Sequence, residues 1–161
     1  MEIDLARLRE MHTRLPVDLA LSMATRAGLA LERNGHAAGV SIPVEVDRAA
    51  VHGILLWPQS KPHDSEHHDY NRVTEDGAEA VALAIASRHR GWRIVRRMQR
   101  EEHGDWLMEE HGAGRRHLVA FEISGVDRGS ILGRLGEKLV QVSKSRDADQ
   151  SWAGVVGLKG R

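Results

Sequence analysis

Two apolar stretches, residues 104–108 (GDWLM) and residues 118–125 (LVAFEISG), decide the fold of this chain. Each carries a carboxylate, with Asp105 opening the first apolar run and Glu122 near the end of the second. If the two stretches are neighbouring strands, joined by the glycine-containing turn at 112–114, both acids lie at one end of a sheet. Two adjacent carboxylates are a candidate site for a divalent cation.

The segments around these strands predict an alternation of helices and strands. A helix is expected from Thr74 to about His89, with a small-residue face that suits packing on a sheet and with Glu79 one position off that face. The predicted sheet has strands at 92–99, 105–108 and 118–124, then a helix at 131–142, and a last strand at 153–158. The order is therefore helix, three strands, helix, strand.

The N-terminal third predicts a helical pair followed by a β-hairpin. Apolar residues at three- and four-residue steps indicate one helix over residues 3–14 and a second from Val17 to about Arg33. Residues 40–46 and 51–57 are two further predicted strands, and Pro43 assigns the first of them to a sheet edge. The hairpin and helices are interpreted as packing or dimerisation surfaces, without chemistry of their own.

The composition limits the classes of function. With 161 residues the chain is expected to form one domain, 1–161, with the helices and hairpin in 1–57 and the core in 74–158. Its 23 basic and 23 acidic residues cancel, so any surface for nucleic acid must be a local patch. The absence of cysteine, an acidic N-terminus and the lack of a long apolar run predict a cytoplasmic protein without membrane contact.

The element order and the acids at 105 and 122 resemble the PD-(D/E)XK, or restriction-endonuclease-like, nuclease fold. The resemblance implies an α/β fold with a mixed sheet and an αβββαβ core. It also implies a divalent-metal-dependent nuclease that uses Mg²⁺ or Mn²⁺. By the same resemblance, Asp105 is the first acid, Glu122 the second and Glu79 the helix acid, and these three are the expected metal ligands.

The lysine of that family's motif corresponds to Ser124, two residues after Glu122 and on the same sheet face. Related nucleases sometimes carry this lysine on a neighbouring element, so the expected catalytic set is Asp105, Glu122, Ser124 and Lys138. Lys144 and Arg97 are alternative sources of the cation. Residues 74–83 (TEDGAEAVAL), with DWL and EISG, are also similar to a group of bacterial proteins, which implies a shared fold and site but no substrate.

Each acid also has a structural interpretation. Glu79 can be a solvated helix residue, Asp105 a turn residue that binds backbone amides, and Glu122 one half of a buried ion pair with Arg97. The alternative function is therefore an inactive nuclease-fold subunit, a homo-oligomer or a component of a larger complex.

Two further regions carry predictions of their own. A set of arginines is a candidate patch for nucleic-acid phosphates, with acids nearby as the alternative partners; the set is Arg88, Arg90, Arg93, Arg96, Arg97, Arg100, Arg115 and Arg116. The run from His63 to Asp69 holds histidines and carboxylates that make a zinc-binding loop conceivable, although a solvated loop is favoured.

Overall fold

The structure, a computed structural model, describes residues 1–58, 69–112 and 115–159. This part of the chain is a mixed α/β protein with four α-helices and two sheets. The helices are α1 (Leu8–Met11), α2 (Val17–Arg33), α3 (Tyr70–Arg90) and α4 (Ile131–Val142). The strands are β1 (Glu2–Asp4), β2 (Val40–Val46), β3 (Ala49–Leu56), β4 (Arg93–Arg97), β5 (Trp106–Gly112), β6 (Arg115–Val126) and β7 (Gln150–Gly157).

The first sheet has the order β1-β3-β2 and corrects the prediction for the N-terminus. Residues 2–4 form a strand parallel to β3, and a 3-10 turn and the short α1 follow where one helix over 3–14 was expected. Ile3 is buried between two acids, which is strand alternation, and the Asp4 side chain accepts from Ala6 N at 3.0 Å.

The β2–β3 hairpin is confirmed, with Pro43 on an edge strand as expected. Its loop is shorter than predicted, because Val46 pairs with Ala49 and only two residues remain to turn the chain. Those residues, Asp47 and Arg48, have φ values of 52° and 67°, the conformation of a type I′ turn that matches the twist of the strands.

The second sheet has the order β4-β5-β6-β7 and gives α3-β4-β5-β6-α4-β7 along the chain. Strands β4, β5 and β6 are antiparallel neighbours, and β7 returns parallel to β6 after α4. Successive residues of β6 point to opposite faces. Ile123 and Gly125 face α3, and Glu122 faces α4, where its side chain meets Lys138.

Helix α3 begins one turn earlier than predicted. It was expected to start at Thr74, but Asp69 caps it by accepting from Arg72 N at 3.1 Å, and Thr74 lies within the helix with its hydroxyl donating to Tyr70 O. Gly91 ends the helix with a φ of 70°.

Helix α3 is packed against α2 on one side and against the sheet on the other. A Cβ at Gly77 would lie 2.9 Å from Ala27 Cα, and one at Gly125 would lie 2.9 Å from Thr74 O. Glycine is required at both contacts because the backbones approach too closely for a side chain.

Helix α4 lies on the opposite face and is much less buried. Of the predicted face Ile131, Leu135, Leu139 and Val142, only Val142 is fully buried. It packs with Met98, Leu107 and Ala120 in a second, smaller core cluster. Within the described residues no helix is long and apolar enough to cross a bilayer.

Candidate functional site

Asp105 and Glu122 are brought together by the pairing of β5 with β6. Trp106 pairs with Phe121, so continuing the register by one residue sets Asp105 opposite Glu122. The Asp105 amide donates to Phe121 O at 3.1 Å, and Asp105 Oδ2 accepts from Ile123 N at 2.7 Å. Asp105 therefore binds a backbone amide, as its structural interpretation predicted, and also lies beside the second acid.

Glu122 has a cation as its direct partner. Its side chain is 2% exposed, and Oε1 accepts from Lys138 Nζ of α4 at 2.5 Å. Lys138 also lies 3.3 Å from Gln141 Oε1, one helical turn further along α4. The cation next to the second acid is thus Lys138, and Lys144 lies beyond the end of α4 on an exposed segment.

Burial and charge act in opposite directions on these two carboxyl groups. Burial raises the pKa of Glu122, while the hydrogen bond from Lys138 lowers it and the charge of Asp105 raises it. Burial also raises the pKa of Asp105, against the Ile123 amide and the charges of Lys138 and Arg97. The charge of Asp105 therefore acts on Glu122, and Lys138 acts to lower the pKa of both carboxyl groups.

Ser124 stands in the half-buried part of β6, opposite Val155 of β7. It shares the α4 side of the sheet with Glu122 because the two residues are two apart on one strand. The position that carries lysine in the resembled motif is thus on the expected face. The positive charge on that face comes from Lys138 of α4, which contacts Glu122.

Glu79 belongs to a separate cluster on the α3 face of the sheet. It is buried, and its two oxygens accept from the Arg97 guanidinium at 2.8 and 2.9 Å. Trp106 Nε1 donates to Glu79 Oε2 at 3.1 Å, and the Arg97 guanidinium carbon lies 4.8 Å from the centroid of the Trp106 ring. The ion pair that was considered for Arg97 and Glu122 is thus made by Arg97 and Glu79.

The two clusters are close enough to interact electrostatically. Burial raises the pKa of Glu79, the bonds from Arg97 and Trp106 lower it, and the charge of Asp105 raises it. The charge of Arg97 in turn acts to lower the pKa of Asp105, against the larger effect of burial. Asp105 is therefore the residue that connects the Glu122–Lys138 pair with the Glu79–Arg97 pair.

Reasoning from sequence missed the role of Trp106. A buried indole N–H requires an acceptor, and a tryptophan directly after Asp105 was the available signal. The pairing of Arg97 depends on an irregularity of β4, because the register with β5 shifts between Ile94 and Arg96. No sequence pattern in β4 indicates that bulge.

Several arginines of the predicted patch have partners within the protein. Arg96 pairs with Glu102, Arg116 with Glu109, Arg90 with Asp47, and Arg88 donates to Glu2 O. For these four arginines, the structure therefore fits the alternative interpretation, in which their partners belong to the protein rather than to a nucleic acid. The predicted zinc loop falls mainly on residues 59–68, outside the described residues, and its last member, Asp69, caps α3.

The described part of the chain holds no group of three or more His, Cys, Asp or Glu side chains that could bind a metal ion. Comparison with known proteins adds no relative: no family model, no curated protein and no solved structure matches this chain.

Proposed function

We propose that this protein is a divalent-metal-dependent phosphodiesterase of the nuclease type, built on a restriction-endonuclease-like core. Asp105 and Glu122 are the protein ligands of Mg²⁺ or Mn²⁺, and Lys138 supplies the positive charge that the resembled motif carries on its third strand. The observation that carries the proposal is the contact of Lys138 Nζ with Glu122 Oε1, at 2.5 Å, beside Asp105 on the neighbouring strand.

The donor set fits such a cation. Mg²⁺ prefers hard oxygen ligands and is commonly held by one or two carboxylates, with waters and substrate phosphates in the other positions. Asp105 and Glu122 supply those two carboxylates, so a third protein ligand is not required. The ammonium of Lys138 already stands against Glu122, which supports the ability of this position to accept positive charge.

When bound, the cation would act as a Lewis acid on the phosphate of the substrate. The chain itself contributes orientation and charge. Asp105 is held by the Ile123 amide, so one of its oxygens is fixed. The side chain of Lys138 is 19% exposed, and its ammonium would be the group that contacts a phosphate or a nucleophilic water.

Cleavage assays on labelled single-stranded DNA, duplex DNA and RNA test this proposal. With Mg²⁺ or Mn²⁺ present, Asp105→Asn and Glu122→Gln are each expected to lower the rate at least a hundredfold, and Lys138→Met to do so while still binding the cation. Lys144→Met, on an exposed segment beyond α4, is the matched control and keeps the wild-type rate. Cleavage that survives in Asp105→Asn and Glu122→Gln would refute the proposal.

The second candidate is an inactive nuclease-fold subunit that docks on another copy or on a larger assembly. Exposed apolar side chains on α4 favour it, including Leu132 at 78% and Val140 at 63% exposure. Light scattering across a concentration series distinguishes the two. A stable oligomer that is dispersed by Leu132→Lys, together with no cleavage of any substrate, would support this candidate instead.

A further inference from the structure

The Glu79–Arg97–Trp106 cluster has the features of a fixed anion-binding group. Arg97 lies on the edge strand β4 and its side chain is 52% exposed, whereas Glu79 is buried and Trp106 is 3% exposed. The guanidinium is thus held from the inside of the protein and open on its outer side.

The hydrogen bonds of the cluster occupy most of the acceptor positions of the Glu79 carboxylate. Its oxygens accept two bonds from Arg97 and one from Trp106, three of the roughly four that a carboxylate accepts. Glu79 therefore accepts more hydrogen bonds from protein donors than Asp105 or Glu122 does. Its chemistry is that of a carboxylate that orients an arginine.

Arg97 retains unused donors. A guanidinium has five N–H groups, of which two donate to Glu79. Within residues 1–58, 69–112 and 115–159 the other three have no protein acceptor. The indole ring beneath the guanidinium and the two bonds to Glu79 fix its plane, and a planar fork of this kind suits the oxygens of a phosphodiester.

The position of Arg97 relates the cluster to the acid pair. Arg97 pairs in register with Trp106, the residue after Asp105, and Met98 N donates to Asp105 O at 2.9 Å. A phosphate bound by the free side of Arg97 would therefore lie on the α3 face, at the same end of the sheet as Asp105 and Glu122.

We infer that Arg97 binds a substrate phosphodiester and that Glu79 is a positioning residue for Arg97 rather than a metal ligand. This inference rests on the proposed function for its substrate class. The inference concerns other residues than the nuclease proposal does, and it concerns binding rather than cleavage, because Arg97 recognises the phosphate without the cation. The two can therefore be tested separately.

The test measures the affinity for labelled oligonucleotides by fluorescence anisotropy in a metal-free buffer with chelator. Single-stranded DNA, duplex DNA and RNA of one sequence are compared, because all three offer the same phosphodiester. Arg97→Gln is expected to weaken binding of the preferred strand about tenfold and to reduce the salt dependence by about one counterion. Arg97→Lys is expected to weaken it similarly, since lysine keeps the charge but loses the fork.

Glu79→Gln distinguishes a positioning role from simple electrostatics. Removal of a negative charge alone would strengthen binding to a polyanion, whereas loss of the partner that orients Arg97 is expected to weaken it severalfold. Tighter binding by this variant would overturn the positioning role. Circular dichroism checks that each variant is folded, and Arg97→Lys carries the test if Arg97→Gln is not.

Arg96→Gln is the matched control. Arg96 is the neighbour of Arg97 on β4, its partner is Glu102, and its removal deletes the same formal charge. It is expected to change affinity less than twofold. Equal losses in Arg96→Gln and Arg97→Gln, or no loss with any strand, would overturn the inference. Cation binding that is unchanged by Asp105→Asn would refute only the nuclease proposal and would leave the Arg97 result intact.

Discussion

The two helices that flank the second sheet carry the same kind of charged contact but are anchored very differently. Helix α3 has ten buried residues among its 21, and its Glu79 accepts from a strand arginine. Helix α4 has one buried residue among its 12, and its Lys138 donates to a strand glutamate. The pair on α3 thus lies on a largely buried helix, whereas the pair on α4 lies on a helix that is mostly exposed.

This difference separates two chemical tasks. A phosphate-binding arginine benefits from a fixed plane, because less rotamer freedom is then lost on binding. In the proposed nuclease, Lys138 would instead have to leave Glu122 when a cation binds. Under that proposal, the α3 face would bind the substrate phosphate and the α4 face would hold the cation.

Replacement of the two basic side chains, Lys138 and Arg97, is expected to give the largest difference in stability between the two faces. Lys138→Met leaves Glu122 buried without its partner, which should lower the free energy of unfolding by about 3 kcal/mol. Arg97→Met should cost about 1 kcal/mol, because Arg97 is half exposed and Glu79 keeps the bond from Trp106. Urea denaturation measures both values.

Lys144→Met is the control for this prediction, since Lys144 is exposed beyond α4. Its effect should stay within about 0.5 kcal/mol. If Lys138→Met proves no more destabilising than Lys144→Met, Glu122 does not depend on Lys138, and the contrast between the two faces is lost.

Substitution of one glycine in each helix gives effects of opposite sign. Gly77→Ala on α3 forces a Cβ to within 2.9 Å of Ala27 Cα and should destabilise by about 1–3 kcal/mol. Gly136→Ala on α4 meets no atom within 4 Å and should stabilise by about 0.5–1 kcal/mol, because alanine is the better helix former. A loss of stability in Gly136→Ala would mean that α4 is packed more tightly than the structure describes.

A buried histidine gives the α3 side a dependence on pH. His12 Nδ1 accepts from Ile94 N at 3.3 Å and its Nε2–H donates to Leu83 O at 3.0 Å, so the neutral ring satisfies both partners. Burial lowers the pKa of His12 from its usual 6.5, helped by the charge of Arg93. A proton on Nδ1 would point at the N–H of Ile94, and the hydrogen bond from that amide would be lost.

Because the folded state binds this proton less readily than the unfolded state, His12 stabilises the fold above about pH 6.5 and loses that contribution as the pH falls toward its lowered pKa. The stability advantage of wild type over His12→Leu should shrink between pH 7 and 5, by at most about 1.4 kcal/mol per pH unit. Chemical denaturation at several pH values measures this. A constant difference would show that the ring is not held neutral.

The sequence predicted the order of elements in 74–158 because periodicity and turn residues are local signals. It also predicted that Asp105 and Glu122 meet, since both lie at ends of apolar runs on neighbouring strands. The predicted start of α3 was wrong because Asp69, which caps the helix, lies outside the apolar periodic run. The first strand was missed because three residues are too few for periodicity and depend on pairing with β3.

The partners within the site were harder to predict. Lys138 was one of three candidate cations, and a choice among them requires the crossing of α4 over β6, which no local pattern gives. The Glu79–Arg97 bond needs the bulge in β4. Tertiary geometry, rather than residue type, therefore decides which acid meets which base.

Calorimetric titration of the protein with Mn²⁺ tests whether Asp105 and Glu122 bind a cation together. One ion is expected to bind per chain, with an affinity reduced at least tenfold in Asp105→Asn and in Glu122→Gln, and with an equal or higher affinity in Lys138→Met, because the competing ammonium is gone. Glu79→Gln should bind Mn²⁺ like wild type. No binding by wild type, or binding that neither Asp105→Asn nor Glu122→Gln weakens, would contradict the account.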